Sequence, residues 1–137
     1  MSDFFLTAVL TLDASVRVCV PLIFAAMAGL FAERSGVVDI GLEGKLLMSA
    51  FVAASVASVF GSPWLGLIAG MFASAVLAMI HGFASITYKG NQIVSGVAIN
   101  ILASGLTMIL TLAWFKRGGI TPTLQGDERF LSITLPG

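Results

Sequence analysis

The sequence predicts an all-α protein, a polytopic bundle of transmembrane helices. Three observations carry this. Hydrophobic residues make up 58% of the chain, charged residues only 10%, and the mean hydropathy is +1.03, too apolar for a soluble domain. Apolar segments recur along the chain, separated by short turns of Gly, Pro, Asn and charged residues. Within those segments small residues repeat at helical spacing, which lets membrane helices approach closely. The chain has room for about four or five spans in a single domain, 1–137, without a soluble linker.

Other classes are disfavoured on the same grounds. Seven basic and seven acidic side chains cancel, so there is no nucleic-acid footprint and no polybasic lipid-binding tail. Cys19 has no partner cysteine and reads as a small apolar residue. The N-terminus lacks the basic region and small-residue cleavage site of a removed signal peptide, so the first segment is expected to stay.

The first span is expected over 14–32. Phe4–Leu12 is apolar but too short to cross, and Asp13 and Arg17 follow at a spacing that pairs them on a helix, which suits a helix entering from the headgroup region. Pro21 should kink this span, and Ala25 with Gly29 offers a small packing pair. Glu33–Lys45 then concentrates charge and three glycines, Gly36, Gly41 and Gly44, between two apolar runs. Those runs, Val18–Ala32 and Leu46–Phe60, would each reach roughly 22 Å as helices, short of a hydrocarbon core of about 30 Å. The stretch is therefore expected to lie partly at membrane depth as a broken or re-entrant turn, the kind of interruption that marks a transporter's solute path. The competing reading is a polar surface loop. Asp39 and Glu43 would repel on one face of a plain helix, so both are placed in the break, paired with Arg34, Lys45 or backbone N–H groups.

The second span, 46–60, carries two small-residue rows, Ala50, Ala54, Ser58 and Ser49, Ala53, Ala57. Gly61, Ser62, Pro63 and Trp64 form the following turn. In the third span, 66–88, Gly66, Gly70, Ser74, Ala78 and Gly82 recur every fourth residue and are assigned to helix packing. That row drifts by about 40° per step, bringing His81, Ser85 and Tyr88 onto the same broad face. His81 is thus aimed at the bundle, either as a functional group or as a neutral ring satisfying a neighbouring carbonyl. The fourth span, 92–115, has a largely polar stripe of Gln92, Gly96, Asn100, Ala103, Ser104, Thr107 and Thr111, interrupted by Ile93 and Leu110. Asn100 is the costliest of these to leave in lipid, so it requires a partner. Residues 116–137 read as a loop with an apolar run, Phe130–Leu135, too short to span.

Catalytic and metal motifs are not found. There is no nucleotide-binding P-loop, no His-Glu-x-x-His and no Cys/His cluster, so neither cofactor nor metal is expected. An intramembrane serine hydrolase would need His81 as base, and no spacing pairs it with a serine. Basic residues divide almost evenly between the two sides of the membrane and leave orientation open.

Two segments resemble one family. Pro21-Leu22 through Gly29-Leu30-Phe31, continuing into Glu33-Arg34-Ser35-Gly36-Val37-Val38-Asp39-Ile40-Gly41-Leu42-Glu43-Gly44, is similar to the start of bacterial ABC importer permeases for nucleosides and simple sugars. These are related to ribose and branched-chain amino-acid permeases. Asn91-Gln92-Ile93-Val94-Ser95-Gly96-Val97-Ala98-Ile99-Asn100 is similar to a second segment of that family. The likeness covers nearly the whole chain and is nearest to the shorter of two paired permeases. Asp39 departs from it, since many relatives carry Asn there.

The resemblance implies part of a type II ABC importer permease fold in the bacterial inner membrane. It also implies a second permease subunit, a separate ABC ATPase, and a periplasmic or lipoprotein solute-binding protein as partners. Glu33–Lys45 and Lys89 would face the cytoplasm and the loop 116–137 would face outward. Permeases of this family are longer, and the helix that docks on the ATPase follows the next span, so the chain is expected to be an N-terminal part. On this reading Asp39, Glu43, His81, Gln92 and Asn100 are candidates for the solute path or central turn. The alternative in another class is a small self-standing membrane scaffold or channel-forming oligomer.

Overall fold

A computed structural model describes residues 2–116 and 118–130. Arg117, Phe130–Leu135 beyond its first residue, and the final Pro136 and Gly137 of the expected terminal loop lie outside the described residues. The described residues are helical, without strands, and include four helices long and apolar enough to cross a membrane: α1 (Ser2–Arg34), α2 (Leu42–Phe60), α3 (Pro63–Gly82) and α4 (Gln92–Phe115). The chain forms two compact units, Met1–Val38 and Asp39–Gly137.

The first unit is α1 and its C-terminal cap. The helix runs without interruption from Ser2 to Arg34, and Pro21 is held inside it without ending it. Arg17 Nε donates to Asp13 Oδ2 at 3.0 Å, closing the four-residue pair on an exposed face. The helix stops because Gly36 takes a left-handed φ of 84°, which a side chain would disfavour. Val37 N then donates to Ala32 O and Gly36 N to Glu33 O, the two bonds of a Schellman cap.

In the second unit α2 begins at Leu42, a turn earlier than the apolar run Leu46–Phe60 suggests. Glu43 and Lys45 are therefore helical residues, and the break is confined to residues 35–41. An acidic residue in the first helical turn is favoured by the orphan N–H groups there, so Glu43 suits a helix start. At the other end Gly61, with φ 63°, caps α2 through its N–H to Ala57 O at 2.8 Å, and Pro63 opens α3 where no N–H is needed.

α3 passes into a π-helical turn, Phe83–Thr87, before Lys89 and Gly90 reverse the chain. Such turns are rare and widen the helix by one residue per turn. Asn91 caps α4, its Oδ1 accepting from Ile93 N at 3.0 Å and Val94 N at 3.2 Å. Lys116 closes α4 in a left-handed conformation, N–H to Leu112 O.

A core of Met48, Phe51, Leu77, Ile99 and Ala103 joins α2, α3 and α4. Around it the helices expose large apolar side chains such as Ile68, Met71, Phe72, Ile101 and Ile109, as expected of surfaces solvated by lipid. On α4 the stripe residues Gly96, Ala103, Thr107 and Thr111 are buried, Asn100 and Gln92 half-buried, and Ser104 exposed.

Helix α3 meets α2 through Gly66 and Gly70. A Cβ at Gly66 would lie 2.6 Å from Ala53 O, and one at Gly70 would lie 2.8 Å from Ser49 O. The α2 row that receives them is Ser49, Ala53, Ala57. Further along, the four-residue row of α3 leaves the contact: Ser74 is half-buried, Ala78 is exposed, and a Cβ at Gly82 would meet nothing within 4 Å. Leu77, His81 and Ser85 are buried in their place, while Tyr88 is exposed. A four-residue step advances about 40° beyond a full turn, so the buried face must shift to neighbouring rows within a few turns.

Candidate functional site

The start of α2 has no side-chain cap of its own, because its N-cap is Gly41. One of its orphan donors, Gly44 N, is met from α4 instead. Asn100 Oδ1 accepts from Gly44 N at 2.7 Å, and Asn100 Nδ2 donates to Ile40 O at 3.1 Å. One carboxamide thus caps α2 and pins the preceding peptide, using a donor and an acceptor together. This requires the backbones to touch. A Cβ at Gly44 would lie 2.8 Å from Asn100 Cα, and one at Gly96 would lie 2.9 Å from Gly41 N. Gly41, Gly44 and Gly96 are the residues that make Asn100 reachable.

Beside this contact lies a chain of polar groups. Asp39 Oδ1 accepts from Gly41 N at 3.1 Å, turning the backbone into α2. Asp39 Oδ2 pairs with Lys45 Nζ, and both side chains are almost fully buried. A buried ammonium is tolerable only with such a counter-charge. His81 Nε2 approaches Asp39 Oδ1 at 3.9 Å, and His81 Nδ1 lies 3.1 Å from Ser95 Oγ. Three helix ends, the start of α2, the end of α3 and the start of α4, are linked by Asp39, Lys45, His81 and Ser95.

The sequence candidates therefore separate. Asp39, His81 and Asn100 are brought to one end of the α2–α4 bundle. Glu43 is not in the break: it sits in the first turn of α2, exposed, beside a cavity of about 240 Å³ that it lines with Asn100 and Ser104. Gln92 is half-buried in the first turn of α4. The sequence does not single out Ser95, because its separation from His81 matches no simple helical spacing. Among the described residues no group of His, Cys, Asp and Glu is arranged to hold a metal ion.

Comparison with known proteins gives this arrangement its context. Residues 11–133 match the family model described as the branched-chain amino acid transport system / permease component. The chain is 40% identical over 130 residues to the guanosine ABC transporter permease protein of Bacillus subtilis, covering 90% of this chain and 40% of that protein. It is 37% identical over 105 residues to a Haloferax volcanii ABC transporter permease named provisionally for glucose, covering 77% of this chain and 32% of the relative. It is 35% identical over 106 residues to the nucleoside ABC transporter permease protein of Lactococcus lactis, covering 73% of this chain and 33% of the relative. The chain thus spans two fifths or less of the length of these relatives. No solved structure matches it. With a family match over most of its length and four helices apolar enough to cross a bilayer, this multi-pass membrane protein belongs to the family of branched-chain amino acid transport system permease components.

Proposed function

We propose that the chain is a membrane-spanning permease subunit, or part of one, of an ATP-driven importer for nucleosides or simple sugars, and that it helps line the solute path. The observation that carries this reading is the likeness over 130 residues to a guanosine permease, reinforced by likeness to permeases named for nucleosides and glucose. Its partners would be a second permease subunit, a separate ABC ATPase and a periplasmic or lipoprotein solute-binding protein, assembled in the bacterial inner membrane. The end of the bundle holding Asp39 and Lys45 would face the cytoplasm and the segment after α4 would face outward.

The polar chain does not favour a hydrolase. Asp39, His81 and Ser95 fall in the order of a catalytic triad, but Lys45 engages the Asp39 carboxylate, and 3.9 Å between His81 Nε2 and Asp39 Oδ1 exceeds hydrogen-bond reach. The network is better suited to fixing where the break in the chain sits against α4. In cells, inactivating the gene is expected to abolish uptake of a labelled nucleoside or of labelled glucose, and supplying the gene again should restore it. Unchanged uptake of both solute classes would overturn the reading.

A further inference from the structure

Helices α2 and α4 leave a groove between them that differs from the lipid-facing surfaces. Two adjoining cavities form it. One, about 240 Å³, is lined by Glu43, Asn100 and Ser104; the other, about 370 Å³, by Phe51, Thr107 and Thr111; Leu47 and Ser104 belong to both. The groove therefore follows α4 for about 16 Å from Asn100 to Thr111, at the helical rise per residue. The neighbouring face of α4 presents Ile109 and Leu112, each at least 60% exposed.

On its α4 wall the hydrogen-bonding polarity of the groove is one-sided, and Thr121 adds a further hydroxyl to the lining. Ser104 Oγ donates to Ile101 O at 2.9 Å, Thr107 Oγ1 to Ala103 O at 2.9 Å, and Thr111 Oγ1 to Thr107 O. Each hydroxyl proton is used within α4, so the exposed Ser104 oxygen offers lone pairs to the groove. Glu43, exposed at the groove's end, is an acceptor with a negative charge. Among the described residues no Lys or Arg lines either cavity. A matching solute carries several O–H or N–H donors and no phosphate.

We propose that this groove, from Glu43 to Thr111, is a solute subsite of the permease. Glu43 and Ser104 select neutral, donor-rich solutes of the nucleoside or sugar class and reject phosphorylated ones. The inference rests on the permease reading and assigns it particular residues. A second helix seated in the groove is the competing occupant, and it would exclude water whether or not solute is present.

The test uses the assembled transport system on a Cys19→Ser background. Ser104→Cys, or Leu47→Cys if the first fails to accumulate, should react with a small membrane-impermeant thiol reagent, and a saturating nucleoside should slow the reaction about tenfold, while Ile109→Cys stays unreactive. Glu43→Gln should raise KM for uptake about tenfold with maximal rate preserved, the loss of one charge-assisted hydrogen bond. It should also weaken the preference for a nucleoside over its phosphate monoester. Reaction at both Ser104→Cys and Leu47→Cys no faster than at Ile109→Cys, or indifferent to solute, overturns the groove while leaving the permease reading in place. Loss of the gene without loss of uptake overturns both.

Discussion

The two contacts that α2 makes use the same steric device for different ends. Against α3, Gly66 and Gly70 bring bare backbone onto Ala53 and Ser49, and the contact is filled by small side chains. Against α4, Gly41, Gly44 and Gly96 bring backbones equally close, but the space is used to deliver the Asn100 carboxamide to the first turn of α2. The first interface joins consecutive helices and depends on van der Waals packing alone. The second joins segments far apart in the chain and depends on complementary donors and acceptors. A packed apolar contact degrades gradually as volume changes, whereas a buried polar network fails when one partner is removed and its mate is left unpaired.

The largest expected effect is in the polar region. Lys45→Met should leave Asp39 buried without its counter-ion and destabilise the fold by about 3–5 kcal/mol, read as loss of folded yield and of thermal stability in detergent. Combining it with Asp39→Asn should recover most of that loss. A double variant no better than the single one would mean that the pair is not the stabilising unit.

Next comes the packed contact. Gly70→Ala puts a methyl group 2.8 Å from Ser49 O and 3.0 Å from Ala53 Cβ, so α2 and α3 must separate, at about 1–3 kcal/mol. Stability equal to the parent protein in the same melting experiment would show that this interface is looser than its geometry.

Asn100→Ala, which removes both bonds at the start of α2, should cost about 1–2 kcal/mol. Asn100→Asp is the sharper probe. It keeps an acceptor for Gly44 N but turns the donor toward Ile40 O into a second acceptor, so it should be no more stable than Asn100→Ala. Rescue by Asp would mean that only the Gly44 bond matters.

The smallest effect separates periodicity from contact. Gly82 continues the four-residue row of Gly66 and Gly70, yet a Cβ there meets nothing within 4 Å. Gly82→Ala should therefore be neutral or stabilising by up to about 1 kcal/mol through helix propensity. A loss comparable to that of Gly70→Ala would restore the whole row to the interface.

Much of this is legible in the sequence. The apolar segments, the break at Gly61 and Ser62 and the start of α4 at Gln92 follow from composition and from capping chemistry, which act over a few residues, although α3 already begins at Pro63, inside the expected turn Gly61–Trp64. The need of Asn100 for a partner also follows, from the cost of a bare carboxamide in lipid. Its identity does not, because Ile40 and Gly44 lie 60 and 56 residues away in the chain. Repulsion between Asp39 and Glu43 argues against a helix through both, and the helix indeed starts between them; the break ends before Glu43 and keeps only Asp39, paired with Lys45. The pairing of His81 with Ser95 had no local signal, since the turn joining α3 and α4, with its π-helical widening, sets their register.

The sequence by itself determined that this protein is a set of membrane helices with small-residue contacts and one charged interruption, because hydropathy, helical period and capping are short-range properties of the chain. Only the tertiary structure decided which rows are buried, which helix supplies the cap for α2, and which carboxylate meets the buried ammonium. Those outcomes depend on where helices cross, and a crossing is fixed by simultaneous contacts among segments that are distant in sequence.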